Sequence, residues 1–179
     1  MVDASQVVID FWQQAGPERW FSKDEAFDTL FRETFATLHL QAARRELEPW
    51  LATAQGGLAL LILLDQYPRN AFRGTAHMFA TDPLARLYAR RLLDAGLDRQ
   101  VDRALRAFCY LPFEHSEQLD DQRLSVRLYR DLNANDLKWA EEHLQIIERF
   151  GRFPHRNEVL GRATTPEEAA FLKSGGFSG

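Results

Sequence analysis

This chain has almost no means of crosslinking itself and none of the long apolar runs that a membrane demands. Among 179 residues there is one cysteine, Cys109, so no disulfide can form within the chain. Its setting, Ala107-Phe108-Cys109-Tyr110-Leu111, is apolar and reads as that of a buried small hydrophobe. No activating base or exposure that would make it a nucleophile can be read there. The longest apolar candidate, Leu58 to Leu64, is 7 residues long, far short of the 18 or so a spanning helix needs. The start, Met1-Val2-Asp3-Ala4-Ser5, has no basic segment leading into an apolar core. A cytoplasmic protein without membrane contact is the simplest expectation. Excess positive charge is also lacking. The net charge of −4 argues against a protein that coats nucleic acid, although it leaves room for a local basic pocket.

What the chain does have is the composition of an ordinary globular fold, 45% hydrophobic and 27% charged. Its length suits a single domain, 1–179, with enough interior to need no crosslink. Helical periodicity runs nearly throughout, and no strand alternation is convincing. Asp3 with Gln6, and Ser22-Lys23-Asp24-Glu25, resemble capping boxes. The second of these opens a helix whose apolar face is Phe27, Leu30, Phe31, Phe35 and Leu38. A helix from about Thr53 is apolar on nearly all sides, which predicts a central buried element that Pro68 should stop. Thr81-Asp82-Pro83 opens a further helix that Gly96 ends. Helices are then expected from Asp98 to before Pro112, from Ser116 to about Leu132, and from Asn135-Asp136 to Gly151. Thr165-Pro166-Glu167-Glu168 opens a short last one. The short connections predict antiparallel neighbours. Asp82 and Ser116 lie 34 residues apart, the spacing of helix–turn–helix repeats, but the residue signature of such a repeat is absent. The fold expected is all-α, an array of antiparallel helical hairpins. Phe11, Trp12, Trp20, Phe27, Phe31, Phe35, Trp50 and Trp139 are expected in its core.

Three polar clusters stand out. The densest is Arg149-Phe150-Gly151-Arg152-Phe153-Pro154-His155-Arg156-Asn157, closing at Leu160-Gly161-Arg162. An earlier turn echoes it, Leu64-Asp65-Gln66-Tyr67-Pro68-Arg69-Asn70, followed by Phe72-Arg73-Gly74. The third is Pro112-Phe113-Glu114-His115-Ser116-Glu117, at an expected helix start, where free N–H groups favour anions. On its own helix His143 shares a side with Ile147 and Phe150, so it should face inward.

Three uses fit these residues. A ligand site would use Arg69, Asn70, Arg73, His115, His143, Arg152, His155, Arg156, Asn157 and Arg162 around a small anionic ligand, because the guanidinium fork suits carboxylate and phosphate. A hydrolase or transferase would use His115 or His143 as the base, with Glu117 a further candidate. A purely structural use would cap the carbonyls of helix ends with Arg and Asn. A helical-hairpin array could also offer a groove to a protein or peptide partner. No cofactor is indicated. Metal signals are weak, since there is no His-Glu-x-x-His and no Glu precedes a His by three residues.

With Leu111 through Glu117, Thr75-Ala76 and Phe171-Leu172 added, these motifs in this order resemble the bacterial family known as domain of unknown function 924. The resemblance covers nearly the whole chain; Tyr67 stands where the family more usually has Phe. It implies an all-helical fold of tetratricopeptide-like type. It implies no activity, and no catalytic or cofactor residue follows from it.

Overall fold

In the computed structural model, which describes residues 3–177, every regular element is helical and no strand occurs among those residues. The chain falls into two compact units. One holds the residues through Arg73 together with His77–Pro112, and the other holds Gly74–Ala76 and the chain from Phe113 onward.

The first unit is built from α1 (Ala4–Ala15), α2 (Pro17–Trp20), α3 (Glu25–Ala43), α4 (Ala54–Leu61), α5 (Tyr67–Ala71) and α6 (Asp82–Asp94). Asp3 caps α1 by accepting from the Ser5 N–H, while Gln6 turns away to Asp10. Asp24, not Ser22, caps α3, accepting from the Ala26 and Phe27 N–H groups. Phe27, Phe31 and Phe35 of α3 are buried, and their rings pack with Phe11 and Trp12 of α1. Each such aromatic pair adds about 1 kcal/mol beyond its buried area. Helix α4 is the central element, with Leu58 through Leu64 all buried. It lies so close to α6 that a Cβ on Gly57 would come within 2.6 Å of a Leu92 methyl. Only glycine permits that approach.

Pro68 does not stop the helix, contrary to the sequence expectation. The chain passes through a π-helical stretch, Ile62–Gln66, and continues directly into α5. The Tyr67 N–H reaches back to the Ile62 carbonyl. Pro68 has no N–H, so one carbonyl in the preceding turn loses its helical donor. Side chains take over: His39 Nδ1 binds the Leu63 carbonyl at 2.9 Å, Thr81 Oγ1 the Leu64 carbonyl at 2.6 Å, and Arg69 the Asp65 carbonyl at 2.7 Å. The Tyr67 hydroxyl donates to the Arg32 carbonyl, tying the same stretch to α3.

The helix expected from Asp98 is not there. Two 3-10 turns, Asp98–Gln100 and Arg106–Cys109, carry the chain instead. Arg106 donates to the carbonyls of Arg99 and Val101 and so holds this loop. Cys109 is fully buried at its end, and burial pushes its thiol pKa well up. The four-residue α7 (Leu111–Glu114) follows at the division between the units.

The second unit contains α8 (Leu119–Leu132), α9 (Ala134–Phe150) and α10 (Pro166–Lys173). Asn133 alone joins α8 to α9, so the two must run antiparallel. Its N–H completes α8 at the Tyr129 carbonyl and its side chain accepts from the Asp136 N–H to begin α9. Helix α8 starts at Leu119 rather than Ser116, whose hydroxyl instead accepts from the Gln118 N–H and donates to Asp121. Ile146, Ile147 and Phe153 form a core against which Leu119, Phe150, Phe171 and Phe177 pack. Trp139, expected inside, is 49% exposed.

His39 gives a pH test of the first unit. A carbonyl can only accept, so Nδ1 carries the proton in its bond to Leu63, and the ring stacks on Tyr67 at 4.6 Å. Burial is the main cause that lowers its pKa below 6.5, with the charge of His77 adding to it. The unfolded chain therefore binds the proton more readily, and this residue's contribution is full above about pH 6.5 and shrinks as the pH falls below it. His39→Phe, which orphans the Leu63 carbonyl, should cost about 1–3 kcal/mol at pH 7.5. Melting curves from pH 7.5 down to 5.5 should show a smaller loss of stability in the variant than in the parent chain.

Candidate functional site

The early turn of the first unit is a charge-neutralised assembly. Asp65, 1% exposed, accepts from Gln66 at 2.7 Å and lies 3.3 Å from Arg69. Arg69 also makes a two-pronged pair with Asp82 at 2.8 and 3.0 Å. Burial works against charge on Arg69, but Asp65 and Asp82 together raise its pKa above the ordinary arginine range. Asn70 and Arg73 converge on Asp28 of α3, at 2.7 Å for Asn70 and 2.9 and 3.1 Å for Arg73. Each sequence-selected residue here meets an acidic side chain, and two of the three acids lie far away in sequence.

The late turn is divided in use. Its Arg152 grips Glu168 of α10 through two hydrogen bonds, at 2.6 and 2.9 Å, and also donates to the Ala163 carbonyl. Asn157 donates to the same carboxylate at 3.2 Å. Glu168 closes the capping box of α10 as well, accepting from the Thr165 N–H. Arg152 is the main cause that brings the Glu168 pKa down to about 2. Arg149 pairs with Glu167 one residue earlier. Glu117, a sequence candidate for catalysis, accepts from the Phe153 N–H and from Arg162, both at 2.9 Å. Arg152, Asn157, Arg162 and Glu117 therefore fasten α10 and the turn to the start of α8.

Another group of residues gathers around two phenyl rings. His143, 5% exposed, and half-buried His155 both contact the ring of Phe177, with centroids 4.5 and 5.2 Å away. The same two imidazoles flank Phe153, at 5.4 and 5.7 Å. The buried guanidinium of Arg156 lies over Phe153 at 4.4 Å, a cation–π arrangement. Glu114, also buried, brings Oε1 to 3.5 Å from His143 Nδ1. That nitrogen donates to the Trp139 carbonyl at 2.8 Å, which leaves Nε2 as the basic nitrogen of the neutral ring. The inward placement of His143 was legible from helix spacing. The partnership with Glu114 was not, since it joins residues 29 positions apart with nothing in the sequence to link them.

Beneath Glu114 the chain is held by Gln122, which is fully buried. Its amide nitrogen donates to the carbonyls of Glu114 and Ser116, both at 2.6 Å. Spending both amide hydrogens this way fixes the orientation of the side chain. The Leu111–Glu117 turn is thereby pinned by a residue from the helix it precedes. His115, on this turn, is half-buried. Among the described residues no group of three or more His, Cys, Asp or Glu is placed to hold a metal ion. Among the described residues no helix is long and apolar enough to cross a membrane.

The Arg152–Glu168 pair separates fastening from binding. Arg152→Ala leaves the Glu168 carboxylate without its main partner and should lower the melting temperature at pH 7, read from melting curves. Glu168→Gln should also lower the melting temperature. Because the folded pKa is about 2 against an ordinary 4.5, that deficit should narrow as the pH falls through this interval, where the parent carboxylate itself gains a proton.

Comparison with known proteins agrees with this architecture. No curated protein matches the chain. A solved structure from Agrobacterium tumefaciens, described as a protein of unknown function, is 52% identical and superimposes with a TM-score of 0.93, over 95% of this chain and 97% of that one. Residues 8–176 match the model of a family described as bacterial protein of unknown function (DUF924). With the match spanning nearly its whole length, the chain belongs to that family of all-helical bacterial proteins.

Proposed function

We propose that the second unit binds a small organic anion, a carboxylate or phosphate ester, at the cluster of His143, His155 and Arg156. The observation that carries this reading is the convergence of two imidazoles on one phenyl ring, with an arginine stacked on the next. Imidazole N–H and guanidinium groups supply donors to an anion, and the rings of Phe153 and Phe177 offer apolar walls to its carbon skeleton. Arg69, Asn70, Arg73, Arg152, Asn157 and Arg162 are assigned instead to the carboxylates of this chain that they bind.

A second use of the same atoms is supported by Glu114. A carboxylate near one imidazole nitrogen, with a basic nitrogen on the other side of the ring, is the arrangement a general base requires. Nδ1 makes its shorter bond to the Trp139 carbonyl, so orientation of the ring does not depend on Glu114. For that reason binding is the reading preferred here.

A thermal-shift series with inorganic phosphate, pyrophosphate, short carboxylic acids and sugar phosphates tests the proposal. At a concentration of about 100 times Kd, a ligand adds about 2.7 kcal/mol to stability, which should appear as a rise of several degrees. Arg156→Gln and His155→Ala should abolish the rise. Arg73→Gln should leave it intact, since Arg73 serves Asp28 in the other unit. A rise that survives in Arg156→Gln, or no rise with any anion, would remove the reading.

A further inference from the structure

We propose that α8 carries a built site for one internal water molecule, held between the side chains of Gln122 and Ser125. Both residues are fully buried. Among the described residues, neither Gln122 Oε1 nor Ser125 Oγ has a hydrogen-bond partner. One such atom in an interior is costly, because folding strips it of solvent without replacing the bond. Two of them on the buried face of one helix point to a shared partner. These atoms are separate from those of the anion cluster, so the site stands whether or not an anion binds there.

The orientation of Gln122 is settled by its other end. Its Nε2 lies 2.6 Å from the carbonyls of Glu114 and Ser116, and 3.5 Å from that of Phe113. Carbonyls only accept, so the nitrogen must face them and Oε1 must face away. Ser125 does not take the usual escape of a helical serine, a bond to the carbonyl four residues back. Residues three apart on a helix have Cβ atoms about 5–6 Å apart. That gap suits a single bridging molecule, since two hydrogen bonds of about 2.8 Å span it. The occupant must donate to Oε1 and exchange a hydrogen bond with the Ser125 hydroxyl. It must also be small enough for a place with no exposed surface. Water meets these demands, and internal waters ordinarily serve buried groups that the protein leaves unmet.

The water lengthens a brace. Carbonyls of the Leu111–Glu117 turn are held by Gln122, Gln122 by the water, and the water by Ser125 one turn further along α8. That turn carries Glu114, whose carboxylate stands 3.5 Å from His143. The bridge thus stiffens the support behind the acid of the histidine cluster.

Ser125→Ala tests the site by the sign of its effect. Alanine suits a helix better than serine, and it removes the hydroxyl whole. If the hydroxyl holds a water, its loss breaks the bridge to Gln122 Oε1, and the melting temperature should fall by about 2–4 °C. If the hydroxyl is bare, its removal should leave the melting temperature unchanged or raise it, and the site is overturned. A crystal structure of the full chain that shows ordered solvent is the second arm. A single water within about 2.6–3.2 Å of both Gln122 Oε1 and Ser125 Oγ is expected. No water at that place, or Ser125 Oγ turned onto the Asp121 carbonyl, overturns the site even if the variant is less stable, because the hydroxyl would then be served without a bridge.

Discussion

A helix buried on every side cannot leave a carbonyl unmet, and much of the first unit is arranged around that constraint. Pro68 sits inside the central helical run and removes a donor where water cannot replace it. The chain answers with a π-helical turn and three borrowed side chains, His39 from α3, Thr81 from the start of α6, and Arg69 from the next turn. Each of these brings a neighbouring element with it. Leaving a buried carbonyl unpaired costs about 1–3 kcal/mol, a noticeable share of the stability of a domain this size. The same region holds Asp65 and Arg69, and through Asp82 it anchors the first turn of α6.

The charged turns follow a shared logic in both units. An arginine or asparagine on a helix-ending turn reaches a carboxylate on a distant helix, and the carboxylate is one that burial would otherwise penalise. Asp28 is served by Asn70 and Arg73, and Glu168 by Arg152 and Asn157. In the second case the acid is also a helix cap, so one side chain joins electrostatics to helix initiation. In the His143 cluster the guanidinium of Arg156 also rests on an aromatic face, and the two histidines contact the same ring.

Helix existence was readable wherever a cap and an apolar stripe coincided, as at Thr53, at Thr165 with Glu168, and across Phe27 to Phe35. Boundaries slipped where two capping residues competed, with Asp24 prevailing over Ser22 and Gln118 over Ser116. In place of the helix expected from Asp98 the chain makes 3-10 turns, held by Arg106, which folds back on the carbonyls of Arg99 and Val101. Pro68 misled because tertiary partners compensated a break that local rules treat as final. For the site, the sequence marked donors well and acceptors poorly. Arginines in a dense turn are conspicuous, whereas Asp28, Glu114 and Glu168 look like ordinary helix acids until folding brings them across 29 to 45 positions or onto a cap.

The buried thiol of Cys109 has a practical side. A cysteine with no exposed surface and a pKa pushed upward offers essentially no thiolate to a maleimide or an iodoacetamide in the folded state. It is also the chain's only cysteine. A single reporter thiol can therefore be introduced at any exposed position and labelled selectively without first removing the native one. The interior then keeps its own packing while spin labels or fluorophores follow the motions of either unit.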